Sequence, residues 1–300
     1  PQKLPVLKNI QSCFVSNSAK KVSTFESSNR IFNAAHRLIE KAVRSNMQSV
    51  FTDCPHREKL GWLEQVHLNG PGLLYNYDLT AYAPQIMQNM VDAQHSNGAM
   101  PTTAPEYVIF EGPGMDAFAE SPEWGGSLVI FPFMYYETYG DDSLIKKYYP
   151  NMRRYVDYLK TRADKGILSF GLGDWYDYGD FRAGFSRNTP VPLVATAHYY
   201  MTVMYLVQAA KMVGNDFDTR YYTSLAQDIM AAFNKYFLHK DTAQYGTGSQ
   251  CSNALPLFLQ MTQDADEQGN YRPDADLHEK VFTNLIKDVE AHGNLSLIHI

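Results

Sequence analysis

The sequence predicts an all-α protein, on two observations. Apolar residues recur at helical spacing in successive stretches along most of the chain, and no comparable alternating pattern appears after residue 26. Amphipathic helices in a row must bury their stripes on one another, which gives helix hairpins in a bundle, a solenoid or a helical barrel. No sequence period of roughly 30–50 residues repeats, which argues against a solenoid of similar units.

Residues 1–26 are Ser- and Lys-rich and weakly alternating (Val6, Leu7, Ile10, Phe14, Val15). They are expected to be the last strand or two of a preceding β domain, ending near residue 22, and a linker. From there the character changes. Ile31, Ala35, Leu38, Ile39, Ala42 and Val43 share one helical face, with Ser28 as the expected N-cap. A second stretch covers residues 70–94, where Pro84 marks a kink or a late start. Residues 124–139 close on Gly140-Asp141, and residues 143–162 follow. Residues 191–213 close on Gly214-Asn215, and residues 217–236 carry the next stripe. Weaker helices are expected at 252–262 and 276–291. The segments 95–123 and 164–190 lack a period, and irregular stretches of that length inside a compact domain are usually functional.

A length of 300 residues, 45% hydrophobic, can fill a sizeable core in one large domain or two small ones. The formal net charge is −6, and no Lys/Arg run exceeds two residues, so no basic stripe awaits a phosphate backbone. Nucleic acid is not an expected partner. No apolar run approaches the roughly 18 residues of a bilayer span. Cys13, Cys54 and Cys251 lie far apart, with neither a disulfide framework nor zinc spacing. The chain opens on Pro1, with nothing like a signal peptide near it, and is read as part of a longer protein.

Three segments concentrate chemistry. The first runs from Asp53 to Gln65 and holds Arg57, Glu58, Trp62 and Glu64, with Pro55 and Gly61 breaking helix so that Asp53, Glu58 and Trp62 lie on a turn between helices. Carboxylates can grip vicinal hydroxyls while an indole face covers the apolar side of a sugar ring. A desolvated carboxyl can also stay protonated and act as a general acid. The competing reading is a charged surface turn in which Arg57 pairs Glu58 or Glu64. The second segment, Gly171 to Asp180, interleaves Asp174, Asp177 and Asp180 with Trp175, Tyr176 and Tyr178, which also suits carbohydrate. Its competing reading is an aromatic loop capping the core. The third is Ser121-Pro122-Glu123-Trp124-Gly125-Gly126, where Trp124 either lines a cleft or packs a helix start. His36, His67, His95 and His198 are scattered and read as ordinary surface or core residues. No triad ordering or zinc-protease pattern is present.

The turn Asp53-Cys-Pro-His-Arg-Glu58-Lys-Leu-Gly-Trp62 resembles the signature of the bacterial α-L-rhamnosidases, glycoside hydrolase family 78. Phe25-Glu26-Ser27, Trp124-Gly125, Tyr139-Gly140-Asp141, Gly173-Asp174-Trp175 and Asn253-Ala254-Leu255-Pro256-Leu257 resemble family segments in the family's order, from about residue 24 to 293. The resemblance implies an (α/α)6 barrel, partial here over residues 23–300 and preceded by the tail of a β-sandwich at 1–22. It implies removal of terminal α-L-rhamnose with inversion, by an acid and a base carboxylate roughly 6.5–9.5 Å apart. No metal or other cofactor is implied. Glu58 would be the general acid, Asp53 would hold sugar hydroxyls, Arg57 would position a carboxylate, and Trp62 would form an apolar wall. Trp124, Asp174, Trp175 and Asp177 would be pocket residues.

The chain departs from the family pattern in three places. Many members place an Asp where this chain has Gln65, so the sugar contact falls to Gln65 or, by a one-residue shift, to Glu64. The family's general base, a Glu in a Trp-Glu pair, has no counterpart, because the three tryptophans here precede Leu63, Gly125 and Tyr176. Residues 295–300 follow no family pattern and are read as a misread frame rather than as structure. The expected partner is a rhamnose-containing glycoside or polysaccharide, and the expected location of the parent protein is outside the bacterial cytoplasm. The alternatives are a sugar-binding or inactive helical barrel, and a barrel glycosidase for another sugar.

Overall fold

A computed structural model of the chain describes residues 5–265 and 271–293. The readings on residues 1–4 and 295–300 lie outside the described residues. Helices dominate the rest. Helix α1 (Arg30–Asn46) is followed by the short α2 (Glu64–His67) and α3 (Gly70–Asn76), then α4 (Ala83–Ala93), α5 (Asp116–Ala119) and α6 (Pro122–Gly125). The longer α7 (Ser127–Tyr139), α8 (Ser143–Arg162), α9 (Val191–Met212) and α10 (Asp216–Phe237) come next, then α11 (Gln250–Phe258) and α12 (Ala275–Ala291).

Two kinds of helix alternate along the second half. In α7, every residue from Ser127 to Phe133 is buried, and α9 is buried over most of its length. A helix that is apolar all round belongs in the interior of a protein. Helices α8 and α10 instead have one buried face and one exposed face, and α12 is fully buried only at Val281. α7 and α11 both pack on α9, while α8 spans α7 and α9, α10 lies on α9, and α12 lies on α11. The result is an inner row (α7, α9, α11) backed by an outer row (α8, α10, α12), built from consecutive hairpins.

Several local expectations change in the structure. The cap of α1 is Asn29, whose side chain accepts from the Ile31 N–H, rather than Ser28. The stretch 70–94 divides into α3 and α4. Asp78 turns the chain by accepting from the Thr80 N–H and hydroxyl, and Pro84 sits in the first turn of α4, where its missing N–H costs nothing. The weak helix expected at 252–262 is α11, capped by Ser249. Three short hairpins appear that no alternation announced: β1 (Asp177–Gly179) with β2 (Phe181–Gly184), β3 (Leu238–His239) with β4 (Gln244–Tyr245), and β5 (Gln263–Ala265) with β6 (Tyr271–Pro273).

The expected strands near the N-terminus do not form among residues 5–22. That segment lies extended against the barrel, with a single bridge between Lys21 and Tyr77 and bonds from Asn17 N–H to the Met47 carbonyl and from Val22 N–H to the Asn76 carbonyl. A strand needs a neighbour along its length, and among the described residues none runs beside it. The apolar stripe of α1 also stays largely uncovered, with Ile31, Leu38 and Ile39 exposed.

Candidate functional site

The turn from Asp53 to Trp62 is held by its own polar groups. The Asp53 N–H donates to the Leu60 carbonyl at 3.3 Å, and the Glu58 N–H donates to Cys54 Sγ at 3.2 Å. Beyond it, the chain runs beside the long loop. Ala104 N–H donates to the Gly61 carbonyl and Leu63 N–H to the Thr102 carbonyl, each at 2.9 Å. This approach requires glycine at 61, because a Cβ there would lie 2.5 Å from the Ala104 carbonyl oxygen. Trp62 is thereby pinned opposite Thr103.

Glu58 is anchored at both oxygens. Trp62 Nε1 donates to Oε2 at 2.8 Å, and Arg57 Nη2 pairs with Oε1 at 2.6 Å. The surface-turn reading anticipated an Arg57–Glu58 pair, and that pair forms. The turn is nevertheless part of a cavity wall. A cavity of about 420 Å³ is lined by Asp53, Arg57, Glu58, Trp62, Glu64, Trp124 and Trp175. The long loop 95–123 folds over it and contributes Phe110, Met115 and Phe118. Phe110 stacks on Trp62 with ring centroids 5.2 Å apart, and Phe118 meets the edge of Trp175 at 5.3 Å.

A second cavity, about 360 Å³, shares Glu64, Trp124, Trp175 and Tyr176 with the first. It adds Gln65, Asp174, Glu123, His67 and His198. Gln65 thus lines the second of these cavities and not the first. Its amide donates to Glu64 Oε1 at 2.9 Å, and its carbonyl accepts from Asn69 Nδ2 at 2.6 Å. Of the two acceptor candidates, Glu64 is the one present in both cavities. Asp53 Oδ1, Glu64 Oε2, Trp124 Nε1 and His198 Nδ1 are buried at these cavities, the Trp124 indole lying close enough to the Glu64 carboxyl to favour its charged form. Buried polar groups of this kind, set among aromatic faces, match the alternation of hydroxyls and C–H faces on a sugar.

Burial sets the protonation of this region. It pushes the Glu64 carboxyl up to about 7 against the bond from Gln65. It pushes Glu123 up to about 7 as well, against the bonds from Ser121 and Gly173. The same desolvation pulls His67 down to about 4 and His198 down to about 3, so both imidazoles are neutral at ordinary pH. His67 Nδ1 lies 2.5 Å from Ser127 Oγ.

Asp174 and Asp177 both line a third cavity, of about 680 Å³, but only Asp174 also reaches the second. Asp174 reaches the second cavity and accepts from Thr189 Oγ1 at 3.2 Å. Asp177 lines only that third cavity, of which Glu58 is not part, and its carboxylate accepts from the N–H groups of Arg187 and Asn188, each at 2.6 Å, and from Asn188 Nδ2 at 2.7 Å. It ties the β1–β2 hairpin to the segment before α9, a structural task that its place in the aspartate-aromatic run did not suggest. His67 and His198, read from the sequence as ordinary surface or core residues, are buried beside the second cavity, while Glu123, Phe110 and Phe118 were given no role there. Among the described residues no group of His, Cys, Asp and Glu is arranged to hold a metal ion, and no helix is long and apolar enough to cross a membrane.

Comparison with known proteins points the same way. Residues 20–296 match the family described as the bacterial alpha-L-rhamnosidase 6 hairpin glycosidase domain. An alpha-L-rhamnosidase of Formosa agariphila is 28% identical over 237 residues, and one of Streptomyces avermitilis is 29% identical over 244 residues. These alignments cover 76% and 80% of this chain but only 25% and 22% of the relatives, so the chain spans about a quarter of their length. Among solved structures, an alpha-L-rhamnosidase named for Dictyoglumus thermophilum superposes with a TM-score of 0.80 at 27% identity, over 93% of this chain and 30% of that one. The Streptomyces avermitilis enzyme, solved as a complex with L-rhamnose, shares the fold with a TM-score of 0.78 at 24% identity, over 93% of this chain and 24% of that one.

Proposed function

This chain belongs to the bacterial alpha-L-rhamnosidase six-hairpin glycosidase family, and on that premise we propose that the protein containing it removes terminal α-L-rhamnose from glycosides or polysaccharides. The observation that carries the reading is convergence. Asp53, Arg57, Glu58 and Trp62 from one turn meet Trp124 and Trp175 from two distant segments around a single cavity.

In this reading Glu58 protonates the departing glycosidic oxygen, with Trp62 and Arg57 fixing the direction of its carboxyl. Asp53 and Glu64 accept hydrogen bonds from ring hydroxyls, while Trp62, Trp124 and Trp175 cover apolar ring faces. Inversion requires a water on the opposite side of the anomeric carbon and a carboxylate to activate it. That base is assigned to the part of the parent protein outside this sequence, since no Trp-Glu pair occurs in it. The 300-residue chain alone is then inactive.

The test uses the full-length protein and its Glu58→Gln variant with p-nitrophenyl α-L-rhamnoside, the α-L-fucoside and α-D-mannoside serving as controls. Turnover of the rhamnoside that falls by about 10²-fold or more in the variant supports both the substrate and the acid. A fully active variant removes Glu58 from the mechanism, and wild-type silence on the rhamnoside overturns the substrate.

A further inference from the structure

Glu123 has no role in the chemistry above, yet it is 5% exposed and both its carboxylate oxygens are engaged. Ser121 Oγ donates to Oε2, and the Gly173 N–H donates to Oε1 at 3.2 Å. Ser121 Oγ accepts in turn from the Leu172 N–H at 2.9 Å. The two backbones meet closely at this point. Gly171 has φ +122°, and a Cβ on it would lie 2.7 Å from Glu123 Oε2 and 2.9 Å from Pro122 Cδ. Packing alone would be served at lower cost by an apolar side chain, because a buried carboxylate carries a desolvation penalty. What the carboxylate supplies is an acceptor for a loop N–H that belongs to no helix or strand.

Each of the joined segments carries one wall of the site. Trp124 follows Glu123 directly, Trp175 stands two residues after Gly173, and both indoles line both cavities. We propose that Glu123 is a positioning residue for the sugar site, its carboxylate setting the gap between Trp124 and Trp175 in which a pyranose ring is held. The role rests on the carbohydrate reading of the cavities given above.

The chain's composition provides the probe. Its three tryptophans, Trp62, Trp124 and Trp175, all line the first cavity, so within this domain indole fluorescence reports on the site alone. The experiment is run on the full-length protein, which can hold further tryptophans, so each signal is read as a difference from the same protein with Trp175→Phe. The variants are Glu123→Gln, Glu123→Leu and Ser121→Ala. Without ligand, Glu123→Leu is expected to shift the Trp175-dependent emission to longer wavelength and to raise its acrylamide quenching by about twofold, as the loop loses its acceptor. With p-nitrophenyl α-L-rhamnoside, the same variant is expected to raise KM about tenfold while kcat changes less than about threefold, the signature of lost ground-state positioning. Glu123→Gln keeps an oxygen for the Gly173 N–H and is expected to stay within about threefold of wild type in KM. If Glu123→Leu fails to fold, Ser121→Ala decides, with a smaller effect expected in the same direction.

Wild-type emission, quenching and KM in Glu123→Leu overturn the proposal. So does a Glu123→Gln variant as impaired as Glu123→Leu, because the hydrogen bond would then not be the operative feature. Failure of the sugar reading looks different. In that case the wild-type protein neither turns over the rhamnoside nor changes its fluorescence with L-rhamnose, while the ligand-free comparison still decides whether Glu123 holds the loop.

Discussion

Trp62 Nε1 donates to Glu58 Oε2 at 2.8 Å, and the Trp62 ring stacks on Phe110 with centroids 5.2 Å apart. On the proposed reading, one side chain therefore both orients the acid and forms the wall beside it. The bond, moreover, is separable from the wall. Trp62→Phe keeps an aromatic face but removes the only ring donor. One hydrogen bond to a carboxylate is worth about 1.5 kcal/mol or more, so kcat/KM on p-nitrophenyl α-L-rhamnoside should fall about tenfold. An unchanged rate in this variant would mean that Arg57 alone orients Glu58.

The signature turn was legible because its chemistry is contiguous. Asp53, Arg57, Glu58 and Trp62 lie within one turn, so their meeting in one cavity needed only local geometry. Phe110, Phe118 and His198 arrive from elements distant in sequence, and although His67 follows the turn closely, no local pattern marks a histidine that will be buried beside a cavity. The long helices were legible for the opposite reason. Their stripes are long enough for the period to stand out, whereas β1 to β6 are two to four residues each and carry no period to count. Asp177 shows the limit of composition. It shares an aspartate-aromatic run with Asp174, yet the strand pairing of β1 with β2 turns its carboxylate onto the Arg187 and Asn188 N–H groups.

On the proposed reading, Glu64 is expected to make sugar affinity depend on pH. Burial holds its carboxyl at about 7, against the bond from Gln65, and it lines both cavities. A charge-assisted bond to a hydroxyl is roughly twice as strong as a neutral one. Affinity for L-rhamnose should therefore rise as pH climbs from 6 to 8, read by Trp175-dependent fluorescence. Glu64→Gln should flatten that rise while leaving some binding. A rise of wild-type size in Glu64→Gln would move the titration to another group.

Stability should depend on pH in two opposing ways. Glu123 is held at about 7 when folded, against about 4.3 in an unfolded chain, so between these values the folded state retains a proton that the unfolded state has lost. Stability from this group therefore falls as pH rises, by up to about 1.4 kcal/mol per pH unit. His198 runs the other way. Held at about 3 when folded against about 6.5 unfolded, it costs stability as pH falls below 6.5. Urea melts should show Glu123→Gln gaining on wild type by about 1–3 kcal/mol from pH 5 to 7. His198→Gln should gain on wild type from pH 6.5 down to 4.5. Parallel pH curves for either variant and wild type would remove that group from the balance.

Two glycines test whether the packing around the site is as tight as its geometry requires. Gly125 ends α6, directly after Trp124, and a Cβ there would lie 2.8 Å from Tyr155 Cζ and 3.1 Å from Met100 Cβ. Tyr155 is 2% exposed on α8 and has nowhere to move without disturbing the core. Overfilling of this kind costs about 1–3 kcal/mol, so Gly125→Ala should melt several degrees lower and shift the tryptophan emission through its neighbour Trp124. Gly72, inside α3, has nothing within 4 Å of its built Cβ. There alanine only reduces the freedom of the unfolded chain, so Gly72→Ala should be neutral or more stable by up to about 1 kcal/mol, with unchanged emission. If the two alanine variants melt together, the close seat of α6 against α8 does not exist in solution, and the placement of Trp124 that depends on it falls as well.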